Sequence, residues 1–558
     1  MKNANRNKQS WPARVGVLAA TAASVLLLAA CGSKASAAST KSIMVSIPSQ
    51  LETLDPAQAS DTSSGEVLNN VEEGLLTVGK NNKKEPGIAK SWTTSKDGMT
   101  YTFTLRHNAK WADGKPVTAN DFVYAWQRNV DPKTKAVNAY RYSGIVNADA
   151  INSGKKAVST LGVKAEGDYK FVVHLEHPMA TFLTLMSNAE FMPVEKSAVT
   201  KNGSKFGTNA AKTSYDGPYT VKSWNGTNDS WTLVKNKNYW NKQNIHLDKV
   251  TYQVVKTTST GLNMFEAGQL DQTELSGNEV KNEKNNKAFK QVLSGIGTYV
   301  VTNEKAPSTD ALKKAFNNVY IRKALSLSID RKTFTQDTLA DGSQASLGFV
   351  SRDLGKSPTD GTDFAKDAYV KNDDANSGVS YNQKLAQEYW DKGLKQLGMT
   401  GMSFNLTVDE DDQWDSIAQY LDETWTKNLK GLKVTVKKVP KATRVKDLLG
   451  SDFDVILTSW SADYDPTTFL DMMVTGNSYN FGGWSNSEYD SLMNTANTTA
   501  DAKARWQAMV KAEQLLMKEQ GVIPLYQDAT NYLRNTKLTG VVDNAAGGNP
   551  GWRGVNLR

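Results

Sequence analysis

Phe453-Asp454-Val455-Ile456-Leu457-Thr458-Ser459-Trp460-Ser461-Ala462-Asp463-Tyr464 begins as a short aliphatic run and ends on small, polar and aromatic residues. A run of that length reads as a buried strand, and its surroundings decide of which kind. Upstream lie a strand at 404–408, a helix carrying Ile417, Tyr420, Leu421, Thr424 and Trp425, a strand at 432–439 and a short helix near 445–449. With 453–459 they form a βαβαβ succession, the signature of an α/β layer. Ligands of open α/β sheets bind outside the carboxyl ends of strands, and Trp460 to Tyr464 occupy such an end. Asp465 stands before Pro466 and the apolar Phe469, Leu470 and Met473, and reads as a helix N-cap with proline at the first helical position. Asp463 lacks that role: it is either a solvated loop carboxylate or a binding group, and Trp460 is either core or the wall of a site.

Helical periodicity continues upstream, in Ile321, Ala324, Leu325 and Ser328 and again in Leu385, Ala386, Tyr389, Trp390, Leu394 and Leu397. Residues 43–301 read mainly as strands and turns. Tyr101, Phe103 and Leu105 alternate with polar residues, Tyr169, Phe171, Val173 and Leu175 repeat the pattern, and Asp216-Gly217-Pro218 introduces a hairpin turning at Asn225-Gly226. The 558 residues leave room for three or four domains at roughly 150 residues each. With 22% charged residues, 39% hydrophobic residues, 14 Trp, 20 Tyr and 16 Phe, the chain is neither disordered nor collagenous nor a polytopic membrane protein.

The formal charge is +8, but Lys2, Arg6, Lys8 and Arg14 precede residue 31, where there is no acid. The remainder carries 62 basic against 58 acidic residues, which gives no general case for nucleic-acid binding. Behind those four charges comes an apolar run at 15–30, too short at 16 residues to span a bilayer and followed by Cys31-Gly32. It reads as an export signal. Cys31 is the only cysteine, so it is a free thiol, an intermolecular link or a lipid attachment point. The segment Leu28-Ala29-Ala30-Cys31-Gly32 resembles a bacterial lipobox, with Cys31 acylated as the first mature residue. Residues 31–42 then form a tether.

Enzymatic constellations are missing from the sequence. There is no G-x-S-x-G elbow, no phosphate-binding G-x-x-x-x-G-K-[ST] and no H-E-x-x-H pair. The four histidines, His107, His174, His177 and His246, read as surface residues, as does the lysine-rich stretch at 281–290. Asp409-Glu410-Asp411-Asp412 resembles half a calcium loop but has Trp414 where the glycine belongs, and reads as a strand-to-helix loop.

An ordered series of motifs spans the mature chain: Leu54-Asp55-Pro56, Glu73-Gly74-Leu75, Pro86-Gly87-Ile88-Ala89-Lys90-Ser91-Trp92 and Ala109-Lys110-Trp111-Ala112-Asp113-Gly114-Lys115-Pro116-Val117-Thr118-Ala119. Asp121-Phe122-Val123-Tyr124-Ala125-Trp126, Gly217-Pro218-Tyr219, Asn238-Tyr239-Trp240, the run from Ile321 to Arg331 and Ala462-Asp463-Tyr464 follow. In this the chain resembles the oligopeptide-binding lipoproteins of ABC importers, within the peptide and nickel solute-binding family 5. The resemblance implies an α/β, two-lobed clamshell of the type II periplasmic-binding class with an extra inserted domain. Its parts would be lobe I (43–72, 197–300 and 529–558), an inserted domain II (73–196) and lobe III (301–528).

It further implies a non-enzymatic, monomeric receptor on the outer face of the cytoplasmic membrane of a bacterium of the Gram-positive type that hands oligopeptides to a membrane permease. The bilayer would be met through acylated Cys31, with no cofactor and no metal; the shortage of His and Cys argues against the nickel or haem carried by some members. A receptor of the same fold for one signalling peptide, or a surface interaction protein, is the alternative. Asp463 would pair with the peptide's α-amino group, Ser459 and Ser461 would address its main chain, Trp460 would wall a pocket, and Ala462 and Tyr464 would complete the segment. Tyr299, Leu275 and Ser276 are further candidates. Leu457 and Ser60 stand where enterobacterial relatives carry an arginine and an acid, which leads one to expect weaker capture of the peptide's carboxyl end and tolerance of longer or more apolar peptides.

Overall fold

The computed structural model describes residues 41–179, 181–546 and 551–558; the export segment, Cys31 and nearly all of the tether lie outside the described residues. The βαβαβ succession is present as Met402–Asp409, Asp412–Asn428, Leu432–Val439, Lys441–Gly450 and Val455–Ser461. The first of its helices starts where a short polar side chain takes up a free amide: Asp411 accepts from the Trp414 amide, at 2.9 Å. That gives the acidic run at 409–412 a structural role. Asp465 caps as expected, accepting from the Thr467 amide at 3.0 Å, and is also held bidentate by Arg505, a partner the local sequence does not indicate.

These strands belong to an eleven-stranded sheet. In spatial order it runs Leu432–Val439, Met402–Asp409, Val455–Ser461, Phe289–Thr302, Ile523–Arg534, Gln272–Leu275, Ser42–Ile47, Lys249–Val254, Ser230–Lys235 and Tyr219–Lys222, with Gln344–Ala345 attached to Ile523–Arg534. Phe289–Thr302 and Ile523–Arg534 are the long members. They pair antiparallel from Phe289↔Leu533 to Leu293↔Ala529, lose register, and resume from Gly297↔Gln527 to Val300↔Ile523. The half of the sheet built from 42–47, 219–222, 230–235 and 249–254 serves a core with Ile43, Val45, Trp231, Leu233 and Tyr252. The other serves a core with Val300, Leu406, Trp425, Leu457 and Leu525. Two sheet halves with separate cores are thus joined by two strands that break register between them.

A second sheet, of four antiparallel strands, is Ala89–Thr94, Thr100–Leu105, Lys170–His174 and Val163–Ala165 in spatial order. The helix Ala119–Val130 packs over it, and Phe103, Trp111, Phe122, Trp126 and Phe171 fill a third core. The expected alternation appears in Thr100–Leu105, where Tyr101, Phe103 and Leu105 are buried. In Lys170–His174 three consecutive residues, Phe171, Val172 and Val173, are buried, because both faces are covered.

The motif residues mostly build this frame. Arg331 is buried and donates to the carbonyls of Pro524 at 2.6 Å and Val379 at 3.0 Å, tying the run from Ile321 to a crossing strand. Gly74 lets two segments touch: a Cβ there would lie 2.6 Å from the Met186 carbonyl oxygen. Gly74→Ala is expected to cost about 1–3 kcal/mol, because backbone must move to admit it; urea unfolding checks this.

Glu513 is buried, accepts from the amides of Phe349 and Val350, and is pushed by burial up to about 7. The folded chain therefore keeps a proton that the unfolded chain releases from about pH 4.5 upward. Stability is expected to fall as pH rises through that interval to about 7, with the melting temperature lower at pH 8 than at pH 5. Glu513→Gln should flatten the dependence in calorimetric scans.

Candidate functional site

The strand Val455–Ser461 lies between Met402–Asp409, which is parallel to it, and Phe289–Thr302, which is antiparallel. Chain order reverses here: the sheet goes outward from 402–409 to 432–439 but returns to place 455–461 on the other side of 402–409. The carboxyl ends of 402–409 and 455–461 therefore flank a topological switch point, the place where open α/β sheets leave a crevice. Arg444 sits in it, with Nε 2.7 Å from Asp409 Oδ1 and Nη1 3.1 Å from Thr458 Oγ1.

Pairing parity determines what the strand offers. The Ala462 amide donates to the Gly295 carbonyl at 2.9 Å, within the register Ile296↔Ser461, Gly297↔Trp460 and Thr298↔Ser459. Main-chain groups of successive residues turn to opposite edges of a strand, so Ser459 and Ser461 point theirs away from Phe289–Thr302. On that side Met402–Asp409 pairs with the strand at Leu406↔Val455 and Thr407↔Ile456. Beyond Ile456, among the described residues, no strand pairs with this edge.

Asp463 follows at the strand's carboxyl end and reaches across to the domain of the second sheet. Its Oδ2 is 2.9 Å from Arg141 Nη1, and Arg141 Nε is 3.4 Å from Glu190 Oε1. Burial works against the Arg141 charge, but Asp463 and Glu190 outweigh it and hold the guanidinium above its ordinary value. Burial raises the Glu190 carboxyl, with Arg141 opposing. Lys84, 3.2 Å from Ser187 Oγ, is lowered by burial to about 8 although the Asp463 charge favours its protonation. Asp463, Arg141 and Glu190 line a cavity of about 410 Å³ with Ser60, Asp61, Asn69, Tyr140 and Arg553, so five separate stretches of chain meet there.

Of the other sequence-derived candidates, Trp460 is half-buried against Tyr479, with ring centroids 5.0 Å apart, and its indole N–H is buried without a partner in the structure. Ala462 is buried. Tyr464 lines a neighbouring cavity with Lys290, Asp353 and Lys356, and burial raises its phenol.

Tyr299, Leu275 and Ser276 are not brought to the Asp463 cavity. Tyr299 is 2% exposed and packs edge-on against Phe349. Leu275 is buried with Val280, Ala288 and Leu533, while Ser276 caps the helix Gly277–Glu283. Leu457 is fully buried in the core with Val300 and Leu525, so its side chain faces no ligand. Ser60 does line the cavity. Arg141, Lys84 and Glu190 were missed by sequence reasoning. Arg141 lies in Ala139–Tyr142, a single turn between aromatics with no periodic or motif signal.

The site is thus a crevice at a switch point, faced by a second domain and lined by charged groups. The profile of the bacterial extracellular solute-binding proteins, family 5, matches residues 83–481. The chain is 37% identical over 545 residues to the dipeptide-binding protein of Lactococcus lactis subsp. cremoris, covering 96% of this chain and 97% of that one. The structure of Listeria monocytogenes OppA bound to peptide is similar at a TM-score of 0.72 and 33% identity, over 93% of this chain and 99% of that chain. MppA, a periplasmic murein tripeptide-binding protein, in its unliganded open form reaches 0.78 at 28% identity, over 93% and 98%. The present structure thus superposes better on that open, ligand-free relative than on the peptide-bound one. The chain belongs to family 5 of the bacterial extracellular solute-binding proteins, whose members bind solutes for transport and are not enzymes.

Proposed function

We propose that this protein captures oligopeptides by main-chain pairing in the cleft beside Val455–Ser461 and delivers them to an ABC permease from the outer face of the membrane, held there through acylated Cys31. The observation that carries the reading is the unpaired edge at Ser459 and Ser461 ending on Asp463. An extended peptide added to such an edge gains affinity from backbone hydrogen bonds that are indifferent to its sequence, and its side chains are left to pockets. Its α-ammonium would meet Asp463, with Trp460, Ala462 and Tyr464 around the first residues. Contacts made by both sides exist only when the lobes close, so peptide shifts the population towards closure about the two crossing strands. The peptide-binding relatives in Lactococcus and Listeria support this reading.

Titration of a mixed peptide pool, free and N-acetylated, into the mature protein tests it. Free-amino peptides should bind and acetylated ones should bind far more weakly. Equal binding of both pools would remove Asp463 from the role of anchor, and selection of one sequence from the pool would point to a dedicated signal receptor. Labelling with a radioactive fatty acid should mark the wild type and not Cys31→Ser; equal labelling would refute the anchor.

A further inference from the structure

The carboxylate proposed to hold the peptide's ammonium already has a cation. Arg141 reaches Asp463 across 322 positions of sequence, from the turn Ala139–Tyr142. The next residue fixes that turn: the buried Tyr142 hydroxyl donates to the Glu190 carbonyl at 2.5 Å and accepts from Asn129 Nδ2 at 3.0 Å. The Arg141 side chain, in contrast, is 27% exposed and Asp463 37%, so their contact faces the cavity and can be broken without unpacking a core. Glu190 stands behind, 3.4 Å from the same guanidinium, and is buried. Arg141 thus lies between two carboxylates, one in the cleft and one in the wall.

We propose that Arg141 is a resident counter-ion that sets ligand selectivity: in the free protein its guanidinium occupies the place of the ligand's α-ammonium, and peptide binds by exchanging one cation for the other. The displaced guanidinium stays with Glu190, whose buried charge needs it. The proposal rests on the reading of Asp463 as the amino anchor. A small amine offers only its charge against a guanidinium already in place, and loses. A peptide adds its strand hydrogen bonds to the ammonium, and wins. The device therefore filters amines and single amino acids from a site that is otherwise tolerant of sequence. It also avoids leaving Asp463 uncompensated in the free protein.

Calorimetric titration of a random tetrapeptide library, free and N-acetylated, into wild type, Arg141→Gln, Glu190→Gln, Asp463→Asn and the Arg141→Gln/Asp463→Asn double variant tests this. An ion pair of this exposure sets the scale, so Arg141→Gln should tighten free-amino binding about two- to fivefold. The acetylated library should be unaffected, and the gain should vanish in the Asp463→Asn background. Glu190→Gln should act in the opposite direction, because Arg141 then has only Asp463 to hold; a purely structural role would move both single variants the same way. If Asp463→Asn weakens free-amino binding but Arg141→Gln leaves it unchanged or weakens it, the counter-ion proposal falls and the anchor stands. If Asp463→Asn binds as the wild type does, or the wild type binds neither library, the anchor falls and the counter-ion with it.

Discussion

Asp463→Ala is expected to weaken the binding of free-amino peptides by about thirty-fold to several thousand-fold. Truncating one partner of a desolvated charge pair costs about 2–5 kcal/mol, mostly because the other charge is left buried alone, and each 1.4 kcal/mol or so is a factor of ten. Asp463 is partly exposed in the free protein, so the full effect requires closure over the ligand. N-acetylated peptides should lose little further affinity. Calorimetry on both peptide forms reads the difference, and a loss below about threefold for free-amino peptides would contradict the role given to Asp463.

Asp55→Ala is expected to destabilise the fold by about 3–5 kcal/mol. Asp55 accepts from Arg128 Nη1 at 2.8 Å and Nη2 at 2.5 Å, and the two side chains are 5% and 14% exposed. Removing one member of a buried pair strands the other charge in low dielectric. The segment has no slack to relax into: the Leu54 amide donates to Gly207 O at 2.8 Å, and a Cβ on Gly207 would lie 2.4 Å from the Asp55 amide nitrogen. Arg128 is on the helix that covers the four-stranded sheet, so the pair also joins that domain to the first sheet half. Urea unfolding followed by tryptophan fluorescence measures the loss, and a change under about 1 kcal/mol would show that the charges are solvated on truncation.

The βαβαβ layer was legible because its signals are local. Strand 432–439 is found as expected; 404–408 extends to Met402–Asp409; Ile417, Tyr420, Leu421 and Trp425 fall within Asp412–Asn428. Strand order was not legible. That 455–461 returns beside 402–409 and takes an antiparallel neighbour from 289–302 follows from packing between distant segments, which no periodicity encodes. The burial of Leu457 was not legible for the same reason, since it depends on which neighbours cover which face. In the site, Asp463 could be singled out because it sits at a strand's carboxyl end with no capping role. Arg141 could not be: its significance is one contact with a residue 322 positions away. Of the motif residues, Gly74 against Met186 and Arg331 against Pro524 proved to be structural.

The central claim is that the cleft takes peptides broadly, by their main chain. Mass spectrometry of small molecules released on denaturing the purified mature protein examines it most directly. The expected result is a ladder of peptides diverse in sequence, with free amino termini, that is depleted when the protein is purified as Asp463→Ala. A single peptide species, or a protein that yields none and binds none from a free-amino pool, would contradict it.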